Sequence, residues 1–239
     1  MNARGTSRAI RTRRQADPCS TARRPCATRG PSRKSRPDAV PQGLPSAQGG
    51  RIDGQNGLLP DHEIARLCRG ERPLIAPFVP YQQGKPSYGL GSYGYDLRLG
   101  KGFLVAVSGK GATMDPRDPS PGRFHRLEAE PSFDLAPGAH VLAESQERLA
   151  LPDDLCGLVY GKSTYARCGL IVNATPLEPG WHGVLTLSLK NVGSLPVRLH
   201  VGFGIAQVLF WRSERPARAY GEKEAGGAYQ GQRGATPAV

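Results

Sequence analysis

From Ile75 onward, glycine, proline and aspartate break the chain about every ten residues, with short alternating segments between the breaks. That rhythm excludes long helices and demands many short strands joined by tight turns. The 31 Gly and 22 Pro among 239 residues supply those turns. Period-two alternation is clear in Tyr95-Asp96-Leu97-Arg98-Leu99 and in Val184-Leu185-Thr186-Leu187-Ser188-Leu189. Val197 to Val201, Ile205 to Trp211 and the apolar stretch Cys156 to Tyr160 are expected as further strands. The expected class is all-β, a barrel or a sandwich. One short helix precedes the strands, over Pro60 to Cys68, with Ile64, Leu67 and Cys68 on one face and Asp61 as its cap.

Charge divides the chain at about residue 55. Residues 1–55 carry 12 Lys and Arg against Asp17, Asp38 and Asp53, whereas residues 56–239 carry 20 bases and 17 acids. The net +12 is therefore +9 in the extension and only +3 in the body, so the body has no charge-based case for nucleic-acid binding. The extension lacks hydrophobic periodicity and is expected to be disordered, because it cannot bury enough apolar surface to offset chain entropy. An organelle transit segment, a basic arm for anionic partners and a mis-assigned start all remain open for it. Residues 56–239 form the expected domain, with a mobile closing segment from about 221 to 239 that is polar and Gly-rich. No apolar run reaches the roughly 18–20 residues a membrane helix needs. Cys19, Cys26, Cys68, Cys156 and Cys168 have neither zinc-site nor disulfide-framework spacing, and free thiols in a reducing, cytoplasmic setting are expected.

Four local patterns bear on function. Gly89-Leu90-Gly91-Ser92-Tyr93-Gly94 fits the G-x-G-x-x-G expression, but a strand pattern follows it where a dinucleotide site needs a helix. Gly161-Lys162-Ser163-Thr164-Tyr165-Ala166-Arg167 is expected to turn helical after a strand, with Ser163 and Arg167 on one face. A helix start offers free N–H groups, Lys162 a point charge and Arg167 a bidentate fork, a combination suited to phosphate. Glu178 lies in the turn Thr175-Pro176-Leu177-Glu178-Pro179-Gly180-Trp181, where an acid beside an aromatic can hold a sugar or simply face solvent. His182, next in line, is expected as a solvent-facing turn residue.

Together with Leu59-Pro60-Asp61-His62-Glu63-Ile64, Ser87 to Arg98 and Tyr229-Gln230-Gly231-Gln232-Arg233-Gly234, these segments resemble the dCTP deaminase family, in the superfamily of trimeric dUTPase. The resemblance runs from about Leu58 to the C-terminus. It implies a jelly-roll-like, dUTPase-type β-barrel assembled as a homotrimer, with sites between subunits. It places Lys162, Ser163 and Arg167 around the triphosphate and the reactive end of the base, and has Asn173 and Ala174 read the pyrimidine. It sets Glu178 near the deoxyribose, and adds Trp181, Tyr220, Tyr229 and Gln232 to the nucleotide site, Gln232 within a segment that closes over it. The implied ligands are dCTP or dUTP, carrying Mg²⁺ on the triphosphate, with dTTP as a candidate feedback ligand. Zinc is not implied, and the chain lacks the H-x-E and P-C-x-x-C signature of zinc deaminases.

At one position the chain departs from this pattern. The family's glutamate, expected to activate water and carry protons, falls ten residues after the acid of the Pro-Gly-Trp turn, which here is Ser188. A hydroxyl is a poor proton carrier near neutral pH. Thr186 and Lys190 share its strand face and neither substitutes for it. A smaller departure is Ala228, where the family often has lysine. Three activities stay open on sequence: dCTP deamination to dUTP and ammonia with help from Glu178 or a relayed water; dUTP hydrolysis at the α-phosphate using Glu178; and a catalytically inactive, nucleotide-binding regulatory trimer.

Overall fold

A twelve-residue strand, β4 (Tyr95–Ala106), organises the sheet. The computed structural model describes residues 56–107, 109, 113–117, 123–223 and 226–239; the expected disorder of residues 1–55 lies outside them. The first half of β4 pairs with β12 (Gly204–Arg212), and its later part with β7 (His140–Ala150) and β5 (Phe124–Glu128). A register shift between Leu99 and Phe103 interrupts the β4–β7 ladder, and such an irregularity lets a sheet bend. Beyond β7 come β10 (His182–Asn191) and β9 (Leu170–Asn173). On the other flank β12 carries β8 (Leu155–Gly161) and β1 (Gly57–Leu58). Two short strands, β2 (Ile75–Ala76) on β7 and β3 (Gly89–Leu90) on β4, complete a curled sheet of 10 antiparallel strands. A separate two-stranded ladder joins β6 (Ser132–Leu135) to β11 (Val197–His200).

Alternation decides which face is core. On β7, Val141, Ala143, Ser145, Glu147 and Leu149 are buried, while Leu142 and Glu144 are only half-buried and His140 is exposed. On β10, Leu185, Leu187 and Leu189 point the same way as those core residues, leaving Thr186, Ser188 and Lys190 on the opposite face. The inward leucines pack with Leu97, Leu99, Phe103 and Phe210, and full burial of each such side chain contributes about 1.5–3 kcal/mol. Phe103 stacks on Phe133 of β6 at 4.6 Å between ring centres, tying the small ladder to the main sheet.

Two carboxylates sit in this apolar interior and are both met by cations. Glu147 accepts from Arg98 Nε at 2.6 Å and from the Arg98 backbone N–H at 2.9 Å. Burial still holds its pKa above the ordinary carboxylate value, against the opposing pull of Arg98. Asp96, 1% exposed, accepts from Gln82 Nε2 at 2.5 Å and pairs with the Lys162 ammonium.

Helix α1 (Asp61–Leu67) forms where its pattern predicts, with Ile64 fully buried and Leu67 and Cys68 against the core. Asp61 is not its cap. Pro60 holds that position with extended backbone and no side-chain acceptor, and Asp61 Oδ1 instead takes the His62 N–H at 2.7 Å. Proline's fixed φ suits a helix entry, and the carboxylate stays in the first turn, where the helix dipole favours it. The Gly89 to Gly94 run is a tight turn into β4, closed by the Gly91 N–H on Gly94 O at 3.1 Å. Gly94 has φ +82°, and a Cβ there would lie 2.3 Å from Val208 O, so glycine is required for packing rather than for phosphate. No helix among the described residues is long and apolar enough to cross a membrane.

Candidate functional site

The outward face of β7, β10 and β9 forms the floor of a cleft of about 700 Å³. Ser188 is centred on that floor, in register with Leu142 of β7 on one side and Asn173 of β9 on the other. After Asn173 the chain leaves the sheet through Ala174 to Glu178, and this turn makes one wall. Leu177 fixes it by exchanging backbone hydrogen bonds with Gly157, at 2.9 and 2.8 Å. Trp181, 5% exposed, closes the turn through its N–H on Glu178 O at 3.1 Å. Its indole Nε1 then donates to Tyr229 O at 2.9 Å, so the wall is bound to the C-terminal segment.

That segment makes the roof. Gln232 forms a parallel bridge with Gly183, its carbonyl accepting the Val184 N–H at 2.8 Å. The Gly231 N–H donates to His182 O at 2.8 Å. Thr186 Oγ1 donates to Gln232 Oε1 at 3.1 Å and accepts the Thr236 N–H at 3.0 Å. Glu144 takes the Ala235 N–H at 3.1 Å while its other oxygen takes the Gly102 N–H at 3.0 Å. Tyr220, in a short 3-10 turn (Tyr220–Glu222), accepts the Tyr229 N–H on its hydroxyl at 3.1 Å. Glu178, at the rim, pairs with Lys223, whose ammonium also lies 5.2 Å from the Tyr220 ring centre. A cleft of this size, mostly apolar with few polar groups converging on it, suits a nucleotide-sized ligand.

The floor holds one side-chain pair with proton-transfer character. His140 Nε2 lies 2.9 Å from Ser188 Oγ, within hydrogen-bond distance. Partial burial, reinforced by the Lys190 ammonium, holds the His140 pKa below the ordinary imidazole value. Lys190 is directly opposite His140 across the β7–β10 pair.

Eight of the residues singled out from sequence therefore line one cleft: Asn173, Ala174, Glu178, Trp181, Ser188, Tyr220, Tyr229 and Gln232. Lys162, Ser163 and Arg167 are not among its lining residues. They sit at the helical turn α2 (Ser163–Ala166), after β8. Lys162 gives its ammonium to the buried Asp96, and Ser163 and Arg167 are exposed, with the Arg167 N–H on Ser163 O at 3.1 Å. His182 is no turn residue: it is the first residue of β10, half-buried, its N–H on Gln230 Oε1 at 3.0 Å. The C-terminal segment adds a neighbour there that local sequence cannot show. Sequence reasoning also missed His140, Leu142, Glu144 and Thr236. The β7 alternation contains the first three, but only the strand register puts His140 and Leu142 beside Ser188 and Glu144 opposite Thr186. Among the described residues no group of three or more His, Cys, Asp or Glu side chains is placed to hold a metal ion. Cys68, Cys156 and Cys168 are free thiols, and burial raises Cys68 to about 11.

Comparison with known proteins agrees with this architecture. A family model described as dCTP deaminase-like matches residues 58–213. The chain is 40% identical to a dCTP deaminase of Gemmatimonas aurantiaca over 183 residues, which is 75% of this chain and 97% of that one. It is 43% identical over 177 residues to a dCTP deaminase of Chloroflexus aggregans, covering 73% and 93% of the two chains. A crystal structure of 2'-deoxycytidine 5'-triphosphate deaminase from Agrobacterium tumefaciens shares the fold, with a TM-score of 0.52 and 22% identity over 66% of this chain. That match spans about half, 49%, of the longer Agrobacterium chain. A family match across most of the body, relatives at this identity over nearly their full length, and a cleft built from the expected residues lead to one assignment: the chain belongs to the dCTP deaminase-like family.

Proposed function

We propose that the protein deaminates dCTP to dUTP and ammonia, as a cytoplasmic homotrimer supplying pyrimidine deoxynucleotides. The observation that carries this is the gathering of Asn173, Ala174, Glu178, Trp181, Ser188 and Gln232, distant in sequence, around one cleft of about 700 Å³. The pyrimidine would lie over the floor against Asn173 and Ala174, with C4 toward Ser188. The sugar would rest near Glu178 and Trp181, under the roof formed by Gln232. The triphosphate would bring Mg²⁺ as part of the substrate, a hard cation bridging phosphate oxygens. Arg167 and Ser163, exposed and away from this cleft, would reach the phosphates from a neighbouring subunit. The assembly would thus complete a site that one chain holds only in part.

A second activity, hydrolysis of dUTP at the α-phosphate, is favoured by one observation. Position 188 carries no carboxylate, whereas Glu178 remains at the cleft wall and could orient water for attack on phosphorus. Incubating the full chain with Mg²⁺ and either dCTP or dUTP, then separating the nucleotides, decides between the two. Deamination predicts dUTP from dCTP. Release of dUMP and pyrophosphate from dUTP, with dCTP untouched, would move the protein to the hydrolytic activity. Tight binding of both nucleotides without turnover would leave a regulatory binding protein.

A further inference from the structure

We infer, on the deaminase assignment above, that His140 and Ser188 act together as the proton relay that a single glutamate would otherwise provide. Ser188 presents its hydroxyl from the cleft floor, and His140 Nε2 is 2.9 Å behind it on the adjacent strand. With Nε2 unprotonated, the Ser188 hydroxyl donates to it. Serine alone cannot accept a proton near neutral pH, but a hydroxyl bonded to a neutral imidazole can pass one on. His140 is therefore a positioning and proton-accepting group acting through Ser188, which is the side chain that meets substrate.

Neighbouring groups support this assignment. Partial burial first, and then Lys190 opposite His140, disfavour the imidazolium and so maintain the basic form. Ile171 and Asn173 of β9, aligned with Lys190 and Ser188, add no charge. The two carboxylates nearest the cleft each have a partner within the chain. Glu144 holds two backbone N–H groups, and Glu178 pairs with Lys223.

The proton count closes. A water over Ser188 attacks C4, forming the C4–O bond while its proton moves to Ser188 Oγ and the serine proton moves to His140 Nε2. The C4=N3 π pair goes to N3, which takes that proton back along the same relay. The remaining hydroxyl proton of the tetrahedral carbon then passes by Ser188 and His140 to the amino nitrogen. The C4–N4 bond breaks, ammonia leaves, and C4 becomes the uracil carbonyl. No oxidant or further reactant enters.

The test uses the full chain with dCTP and Mg²⁺, comparing wild type with His140→Phe, His140→Gln, Ser188→Ala and Ser188→Glu. His140→Phe and Ser188→Ala should each lower kcat by about 10²-fold or more, with KM changed little, because the pair serves the chemical step. Wild-type kcat/KM should fall as pH drops through the His140 pKa, which lies below the ordinary imidazole value, since only the neutral ring accepts the proton. Ser188→Glu should shift that acid limb into the carboxylate range and make turnover indifferent to His140→Phe. His140 is exposed, and dCTP affinity measured separately confirms folding; His140→Gln serves if the phenylalanine disturbs the strand. Wild-type turnover that His140→Phe and His140→Gln leave unchanged would overturn the relay and leave the deaminase assignment intact. Absence of deamination by wild type at every pH would overturn both.

Discussion

The cleft on β7 and β10 and the helical turn α2 carry the two halves of the expected nucleotide site, and they differ in how complete they are. The cleft is built by one chain: sheet residues form the floor, the Ala174–Glu178 turn the wall, and the C-terminal segment the roof. Around α2, one member is consumed internally, since Lys162 neutralises the buried Asp96, while Ser163 and Arg167 face outward. A mostly apolar cleft can grip a base and sugar, but a triphosphate needs cations, and among the described residues the lining contains none. The contrast teaches that neighbouring residues in sequence can be divided between separate parts of the fold. Arg167 and Asn173 are six positions apart and belong to different local environments.

The largest effect should come from separating these halves genetically. Arg167→Ala alone and Glu178→Ala alone should each lower dCTP turnover by about 10²-fold, if phosphate and sugar contacts are both required for productive placement. Co-expressing the two variants should restore activity to about one site in four, because some subunit pairs then combine an intact α2 with an intact cleft. A mixture as inactive as its parents would show that the halves do not meet across subunits.

Lys162 sharpens the contrast within α2 itself. Its side chain is 12% exposed and that of Asp96 1%. Replacing it by methionine should strand Asp96 as an uncompensated buried charge, costing about 3–5 kcal/mol in chemical denaturation. Adding Asp96→Asn should recover most of that loss. A Lys162→Met protein of unchanged stability but weakened triphosphate affinity would instead place the ammonium on the ligand.

Much of this was legible in the sequence, for identifiable reasons. Val184 to Leu189 alternate cleanly because that strand faces core on one side, so its strand and buried positions follow from period alone, whereas in Tyr95 to Leu99 the period gives the strand but not the burial of Asp96. Ile64 was readable from helical spacing. Long-range pairing was not. Nothing local to His140 indicates that β7 lies against β10 in the register that sets it by Ser188. The Gly- and polar-rich end looks mobile by propensity, yet residues 229–236 lie along β10, because Gly183 leaves room and Thr186 and Glu144 supply partners. Lys162 illustrates a different limit: a basic residue beside a helix start suits phosphate, and only the fold reveals that it also pairs with Asp96.

The smallest predicted effect concerns the roof. Gly183 has φ +154°, and a Cβ there would sit 2.9 Å from Gln232 N and 3.1 Å from Trp181 Cζ2. Gly183→Ala should therefore push the C-terminal segment off β10 without disturbing the inward leucines. The bonds at risk are Val184 N–H to Gln232 O and Gly231 N–H to His182 O, each worth about 0.5–1.5 kcal/mol net. Their loss should weaken nucleotide affinity by about tenfold and accelerate amide exchange at positions 231 and 184, while the amides of β4 keep their protection. Exchange that stays slow at both positions would mean that the contacts of Glu144 and Thr186 hold the roof by themselves. The cleft would then be closed by its side-chain anchors, and the parallel bridge at Gly183 would be their consequence.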